Sequence, residues 1–595
     1  MIITIKITNK SLKRSIYIYQ HNDLELFLYI IDIMAGGLLN IISEGANNVM
    51  LTGSPTKTFF NVTYSKYTNF GLQKFRLDYE GTRDLRTTDD STFKFKIKRY
   101  AELLMDTYLV VTIPDIWSPI HNPTPETGVK WAPYEFKWIN DLGAAMIREI
   151  VISCGSVTLQ KYSGEYIAAM VERDFTAEKK ALFHQMSGNV PEFNEPSMAY
   201  GRSNSYPSAF FTNNTAGAEP SIRGRTIYIP INAWFTLDSR CAFPLVSLQY
   251  AELEISVTLR PIQELFQIRD VYDEPNSFPY VQPDFNRDEH QMYRFLQTPP
   301  SVYLDSANYG NKTNVWNADI HLISTYCFLS KDEAQLFAAK DQAYLIKDVF
   351  RYDFQNVTGS KRVKLLSNGM VSNWMFYLQR NDVNMRNEWT NYTNWPYRTP
   401  PKDIDNTTKT LPTGDPFAKT IGQPNYIDYG PQIIRQFRKG EQNSGLFYTG
   451  DFSVDNQKNI LISMGILLNG EYRENSLTHG VFDYIEKYTR THGHAKEGLY
   501  CYNFCLNTNP LEYQPSGALN TSKFKLIEFE VVTYVPPFDE LNSNFNIICD
   551  GDGNAIGTNK QNWRLYEYNY NLTVFEERYN VMSFISGQCG LMLAR

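Results

Sequence analysis

The groupings that could do chemistry are few and widely spaced. His492-Gly493-His494 is the one close pair among eight histidines. Two imidazoles so placed could contribute to a zinc site; a solvated turn is the plainer reading. Of seven cysteines (Cys154, Cys241, Cys327, Cys501, Cys505, Cys549, Cys589), only Cys501 and Cys505 are near neighbours. Their CYNFC spacing fits neither a CxxC zinc ligand pair nor a dithiol redox motif. Buried free thiols, made in a reducing compartment, are the expectation. Asp550-Gly551-Asp552-Gly553-Asn554 opens like a calcium loop, but Ala555 and Gln561 stand where the sixth and twelfth positions need Gly and Glu. Asp539-Glu540 and Glu576-Glu577 are adjacent carboxylates of the kind glycoside hydrolysis uses in pairs. Side by side in sequence, they read as solvated charges. Walker A, HExxH and GxSxG patterns are absent. The chemistry inventory therefore names no catalytic, metal or cofactor-binding residue. N-x-S/T sequons recur, and Asn391 and Asn406, inside a long loop, are the expected exposed acceptors if a glycosylation system meets the chain.

What the sequence supplies instead is a scaffold. Forty tyrosines and 36 phenylalanines favour strands over helical bundles. A net charge of −7 without a large basic block argues against coating nucleic acid. Period-two alternation recurs: Phe93, Phe95 and Ile97 against three lysines; Leu253, Ile255, Val257 and Leu259 against Glu254, Ser256, Thr258 and Arg260; Tyr566 to Val574 against Glu567 to Thr573. Successive strand residues face opposite sides, so each stretch predicts a strand with one buried face. Further strands are expected at Thr226–Ile231, Asp319–Phe328, Trp374–Leu378, Ile460–Leu468 and Phe524–Val535. Helices are expected to be short insertions in loops: Ser163 capping one to Glu172, Thr176 one to Met186, and a capping box at Ser330–Glu333 ahead of Ala334–Ala339. Ser187–Arg225 and Asp382–Ser444 are long loops. At 595 residues, strands in both halves predict two antiparallel sandwiches dividing near Gln297–Pro300. The most apolar early stretch, Leu24–Ile33, is too short to cross a bilayer.

Pattern alone stops at a double β-sandwich. Met34–Gly37, Leu51–Gly53 with Pro55, Thr58–Phe60, Tyr64 and Thr68–Phe70 resemble the amino-terminal signature of the major capsid proteins of nucleocytoplasmic large DNA viruses. Three later segments resemble the same family in the same order. They are RTIYIPINAWFTLDSRCAFPLVSLQYAELEISVTL from Arg225, NPLEYQPSGALNTS from Asn509, and YNVMSFISGQCGLMLA near the end. The resemblance implies an all-β fold of two consecutive antiparallel jelly-roll β-sandwiches with long loop insertions and a few short helices. It also implies this domain plan: 1–33 an upstream extension outside the family, 34–56 a base segment, 57–300 the first jelly roll, 301–595 the second, with an outward loop at about 382–444. By the same resemblance the chain is a non-enzymatic, cofactor-free virion protein of an icosahedral capsid shell. It forms a homotrimer whose pseudo-hexagonal capsomers meet neighbouring capsomers, minor capsid and penton proteins and a nearby inner viral membrane. No sequence-specific nucleic-acid contact is expected, and assembly is expected in the host cytoplasm. A membrane-shaping assembly scaffold of the same fold is the alternative, with a glycan-binding or glycan-cleaving sandwich behind it.

Overall fold

Alternation becomes burial. In the computed structural model Phe93 and Phe95 are buried while Lys94 and Lys96 are exposed, and Leu253–Leu259 buries every second residue. The structure describes residues 41–593 except 44, 82–83, 122–131, 203–205, 208, 210–218, 271–279, 301–305, 396, 399–457, 495, 513, 536–545, 550–554 and 560–567. The predicted extension 1–33, Asn406, Asp539-Glu540 and the Asp550–Asn554 loop lie outside the described residues.

The chain divides into residues 1–68 and 69–595. The described part of the first unit includes a helical turn, Val49–Thr52, ended where the Gly53 N–H donates to the Val49 carbonyl at 2.9 Å. In the second unit the first strands are β1 (Phe70–Asp78), β2 (Ser91–Lys96), β3 (Leu103–Ile113), β4 (Ile147–Cys154), β5 (Val157–Tyr162), β6 (Arg225–Pro230), β7 (Phe243–Pro244), β8 (Leu253–Leu259) and β9 (His321–Leu329). There follow β10 (Gln342–Phe354), β11 (Ser360–Leu365), β12 (Met370–Arg380), β13 (Leu461–Leu468), β14 (Glu471–Thr478), β15 (Leu499–Asn503), β16 (Ile527–Thr533), β17 (Tyr570–Ile585) and β18 (Gln588–Leu591).

One sheet is ordered β1-β9-β3-β7, with β6 also on β3; its partner is β2-β8-β4-β5. The later pair is β10-β17-β12-β15 and β11-β16-β13-β14. These ladders are antiparallel. If β6 and β7 count as one position, both sandwiches follow one rule. Their first, eighth, third and sixth strands make one sheet, and the second, seventh, fourth and fifth make the other. That order is a jelly roll, and it occurs twice. The eighth strand of the first roll, β9, lies beyond Gln297–Pro300, and β10 opens the second set.

The helices depart from expectation. α1 (Gly164–Asp174) and α2 (Ala177–Ser187) start after Ser163 and Thr176 as anticipated. α3 (Lys331–Ala339) likewise follows Ser330, yet none of the Ser163, Thr176 and Ser330 side chains makes a cap bond. The reading of all three as loop insertions fails for α1, because all eleven of its residues are buried. The first roll's core, with Phe95, Leu109, Ile152 and Ile255, is continuous with Tyr344, Met375, Phe575, Met582 and Phe584 of the second strand set. A separate core built on Trp374, Phe376, Ile466, Phe529 and Val574 fills the second roll. Apolar packing thus crosses from roll to roll, and α1 lies in that crossing.

Candidate functional site: the seam between the rolls

α1 enters the seam through Gly164. A Cβ there would stand 1.8 Å from the Ala144 carbonyl oxygen and 2.6 Å from that of Ile147. Only glycine lets the helix start this close to the preceding backbone. Once inside, its polar side chains must find partners, because an unpaired buried charge is costly. Arg173, fully buried, donates to Glu577 Oε1 at 2.8 Å, Asn373 Oδ1 at 2.8 Å and Asp174 Oδ2 at 2.6 Å. Tyr166 donates its hydroxyl to the same Glu577 oxygen at 2.8 Å. Burial would push the Glu577 carboxyl up, but Arg173, with Lys347, Asn373 and Tyr166, holds it at about 2. At the other end of the helix Glu165 accepts from Arg260 at 2.7 Å and from Arg351 at 2.9 Å.

A second cluster surrounds Asp141, a buried residue in the left-handed region (φ 53°). Its carboxylate meets Lys496 Nζ at 3.1 Å and Arg398 Nη1 at 3.4 Å, and accepts from Asn189 at 2.5 Å. Against the pull of burial, Lys496 and Arg398 hold the Asp141 carboxyl well below the usual range. Glu172 pairs with Lys180 and lies 3.4 Å from His184 Nε2. Here too burial is outweighed, by His184, Lys496 and Lys180, and the carboxyl sits at about 2. Charges from both strand sets therefore close on one another inside the seam. They hold; they do not react.

The sequence candidates can now be placed. Gly493 donates its N–H to the Arg173 carbonyl at 2.8 Å, and a Cβ on it would lie 2.4 Å from the Glu172 oxygen. The His-Gly-His turn thus closes the carboxyl end of α1, and no group of three His, Cys, Asp or Glu among the described residues is placed to hold a metal. Cys501 and Cys505 are buried and free, as read. Glu576 and Glu577 are not solvated charges. Both are buried, and as strand neighbours they point to opposite faces. Glu577 turns to α1. Glu576 accepts from Trp374 Nε1 at 2.6 Å and pairs with Arg578. Two carboxylates facing apart cannot flank one glycosidic bond. Asn391, expected to be exposed, is 1% accessible. Its amide donates to the Trp395 carbonyl at 2.7 Å and its oxygen accepts from the Thr393 hydroxyl at 2.7 Å. Much of the described segment after Asp382 is buried, so this acceptor has no room for a sugar.

Sequence reasoning missed the seam because its residues come from widely separated stretches between Asp141 and Glu577. One signal was available: the Tyr566–Val574 alternation runs straight into Phe575-Glu576-Glu577-Arg578, where the apolar period stops but the strand does not.

The match to known families fits this geometry in two consecutive pieces. The profile described as "Major capsid protein N-terminus" matches residues 58–294, and that described as "Large eukaryotic DNA virus major capsid protein" matches 333–590. The chain belongs to the major capsid proteins of large eukaryotic DNA viruses. The major capsid protein of Phaeocystis pouchetii virus is 23% identical over 592 residues, covering 94% of this chain and 99% of the relative. That of Paramecium bursaria Chlorella virus 1 is 22% identical over 566 residues, covering 94% and 100%. In fold, the Faustovirus major capsid protein superposes with a TM-score of 0.53 at 12% identity, covering 93% of this chain and 99% of that one. The family's double jelly roll is the fold found here.

Proposed function

We infer that the chain serves as a major capsid protein: a structural virion component and not an enzyme, taking its place in a shell beside neighbouring capsomers. The observation that carries this is the repeated jelly roll clamped by one seam, within a family of capsid proteins. A rigid double wedge suits tiling, because each chain offers two similar outlines at a fixed angle.

The finer reading is a proposal. Three chains form a ring of six rolls with a near-hexagonal outline, since cyclic symmetry presents six similar wedges. Repeated weak contacts between capsomers then make the shell stable through multivalency. Edge strand β1 suits such contacts, exposing Phe70 and Leu72; exposed apolar side chains on an edge strand invite a partner. We propose a base segment at 34–56, a first roll that runs on through β9, a second roll from β10, and an outward loop at about 382–444. Minor capsid and penton proteins, an inner membrane near the base and assembly in the host cytoplasm complete the proposal.

The test is the solution mass of protein expressed from Met34, with electron microscopy of the same peak. A mass about three times that of the chain, which is 68.8 kDa at full length, with hexagonal outlines, is the expected result. A stable, well-folded monomer at shell-forming concentrations would refute the self-assembling trimer.

A further inference from the structure

Two hairpin tips grip one loop. The β4–β5 tip carries Gly155 in the left-handed region (φ 59°), and its N–H donates to the Glu252 carbonyl at 3.1 Å. The β17–β18 tip carries Ser586 (φ 52°) and Gly587 (φ 78°), both left-handed as a tight primed turn requires. The Gly587 carbonyl accepts the N–H groups of Gln249 at 2.9 Å and Tyr250 at 3.3 Å. A Cβ on Gly587 would stand 2.9 Å from that of Gln249. Chain 249–252 is thus held by the first roll on one side and by the last hairpin of the second roll on the other.

Each tip brings a cysteine. Cys154 ends β4; Cys589 lies in β18 opposite Phe584. Cys154 is buried, and half-buried Cys589 packs against the same core. Strand β18 packs against β5, and each cysteine is the largest influence on the other's thiol.

We infer that Cys154 and Cys589 form an oxidative cross-linking site, whose disulfide ties the final hairpin of the second roll to the first roll. The oxidant is a small disulfide such as oxidised glutathione. Cys589, the more accessible sulfur, attacks it and releases one glutathione, leaving a mixed disulfide. Cys154 then displaces the second glutathione. Two protein thiols become one disulfide, one glutathione disulfide becomes two thiols, and both protons pass to the departing sulfurs. Cys589 lowers the Cys154 thiol against the opposing effect of burial, with Arg99 adding to the lowering, while Cys154 raises the Cys589 thiol. Cys589 must therefore give up its proton before it attacks. Cys501 and Cys505 differ from Cys589 in being buried, out of reach of a dissolved disulfide, and both stay thiols. A reducing cytosol keeps the pair open, and oxidising surroundings close it. Its value to a particle leaving a cell rests on the capsid reading; the bond itself does not.

The experiment incubates the full chain with oxidised glutathione, quenches with N-ethylmaleimide and maps tryptic peptides without reduction. The expected product links the Cys154 and Cys589 peptides, with Cys501 and Cys505 alkylated. Its Tm exceeds that of the reduced protein, dithiothreitol reverses the rise, and C589S abolishes it while keeping the reduced protein's circular dichroism. C154S is the reciprocal control. Recovery of both residues as separate thiols, or of Cys589 as a stable glutathione adduct beside a free Cys154, would overturn the inference, whatever the outcome for trimer formation.

Discussion

Replacing Arg173 by Met removes the charge at the centre of the seam while keeping a long side chain to fill its space. The substitution strips Glu577 of its 2.8 Å partner, Asp174 of its 2.6 Å partner and Asn373 of its 2.8 Å donor. Breaking one member out of a buried ion pair costs about 3–5 kcal/mol, because the remaining charges have no water to turn to. The loss should be at the upper end, since two carboxylates are left behind. Differential scanning calorimetry at one fixed scan rate, with amide exchange of α1 peptides, reads it without assuming reversible unfolding. Acid supplies an internal control. In the wild type Glu577 is held at about 2, below its ordinary 4.5. Its contribution is therefore full above about 4.5 and is lost as pH falls towards 2. In Arg173→Met the largest influence opposing burial is gone and the carboxyl is neutral at higher pH than in the wild type, so the gap between the two proteins should narrow on acidification. Adding Glu577→Gln to the variant should restore part of the loss, a coupling that independent sites would not show. A variant within about 1 kcal/mol of wild type, or a gap that widens at low pH, would refute the argument.

Three further outcomes are expected. Gly164→Ala puts a methyl 1.8 Å from a carbonyl oxygen and should cost more than about 4 kcal/mol, seen as loss of soluble protein; wild-type yield and Tm would reject the close approach. Between about pH 4.5 and 2 the seam should open before the roll interiors, because Asp141 and Glu172 are both held low by cations and lose that stabilisation as they protonate. Peptides of α1 should therefore lose exchange protection ahead of those of β16, and simultaneous loss would contradict this. Asn391→Ala should destabilise by roughly 1–3 kcal/mol and leave the intact mass of protein from a glycosylating host otherwise unchanged; disappearance of a sugar mass would mean that this amide is reachable.

The strands were legible because each needs only a local rule. Leu253–Leu259 was bounded to the residue, and α1 and α2 began where their Ser and Thr predecessors indicated. Long-range pairing was not legible: nothing in His321–Leu329 announces that it lies between β1 and β3 rather than opening the second half. The seam was hidden for the same reason. Its carboxylates look like surface charge in sequence, and only the arrival of Arg173, Lys496 and Arg398 from elsewhere allows them to be dry. Asn391 failed differently, since polar composition marked a loop but could not show that its first residues pack back under Trp395.

The shared core also sets a timetable. Phe575, Met582 and Phe584, made last, complete the same apolar cluster as Phe93 and Phe95, made early. Translation at roughly 5–20 residues per second leaves a wait on the order of ten seconds to a minute between the emergence of β9 and that of β17. For that interval the side of the first roll that receives β17 has no permanent cover. The nascent chain must be sheltered from its own copies until its final strand arrives, and a ribosome-bound intermediate halted after β9 is the form in which that need would be greatest.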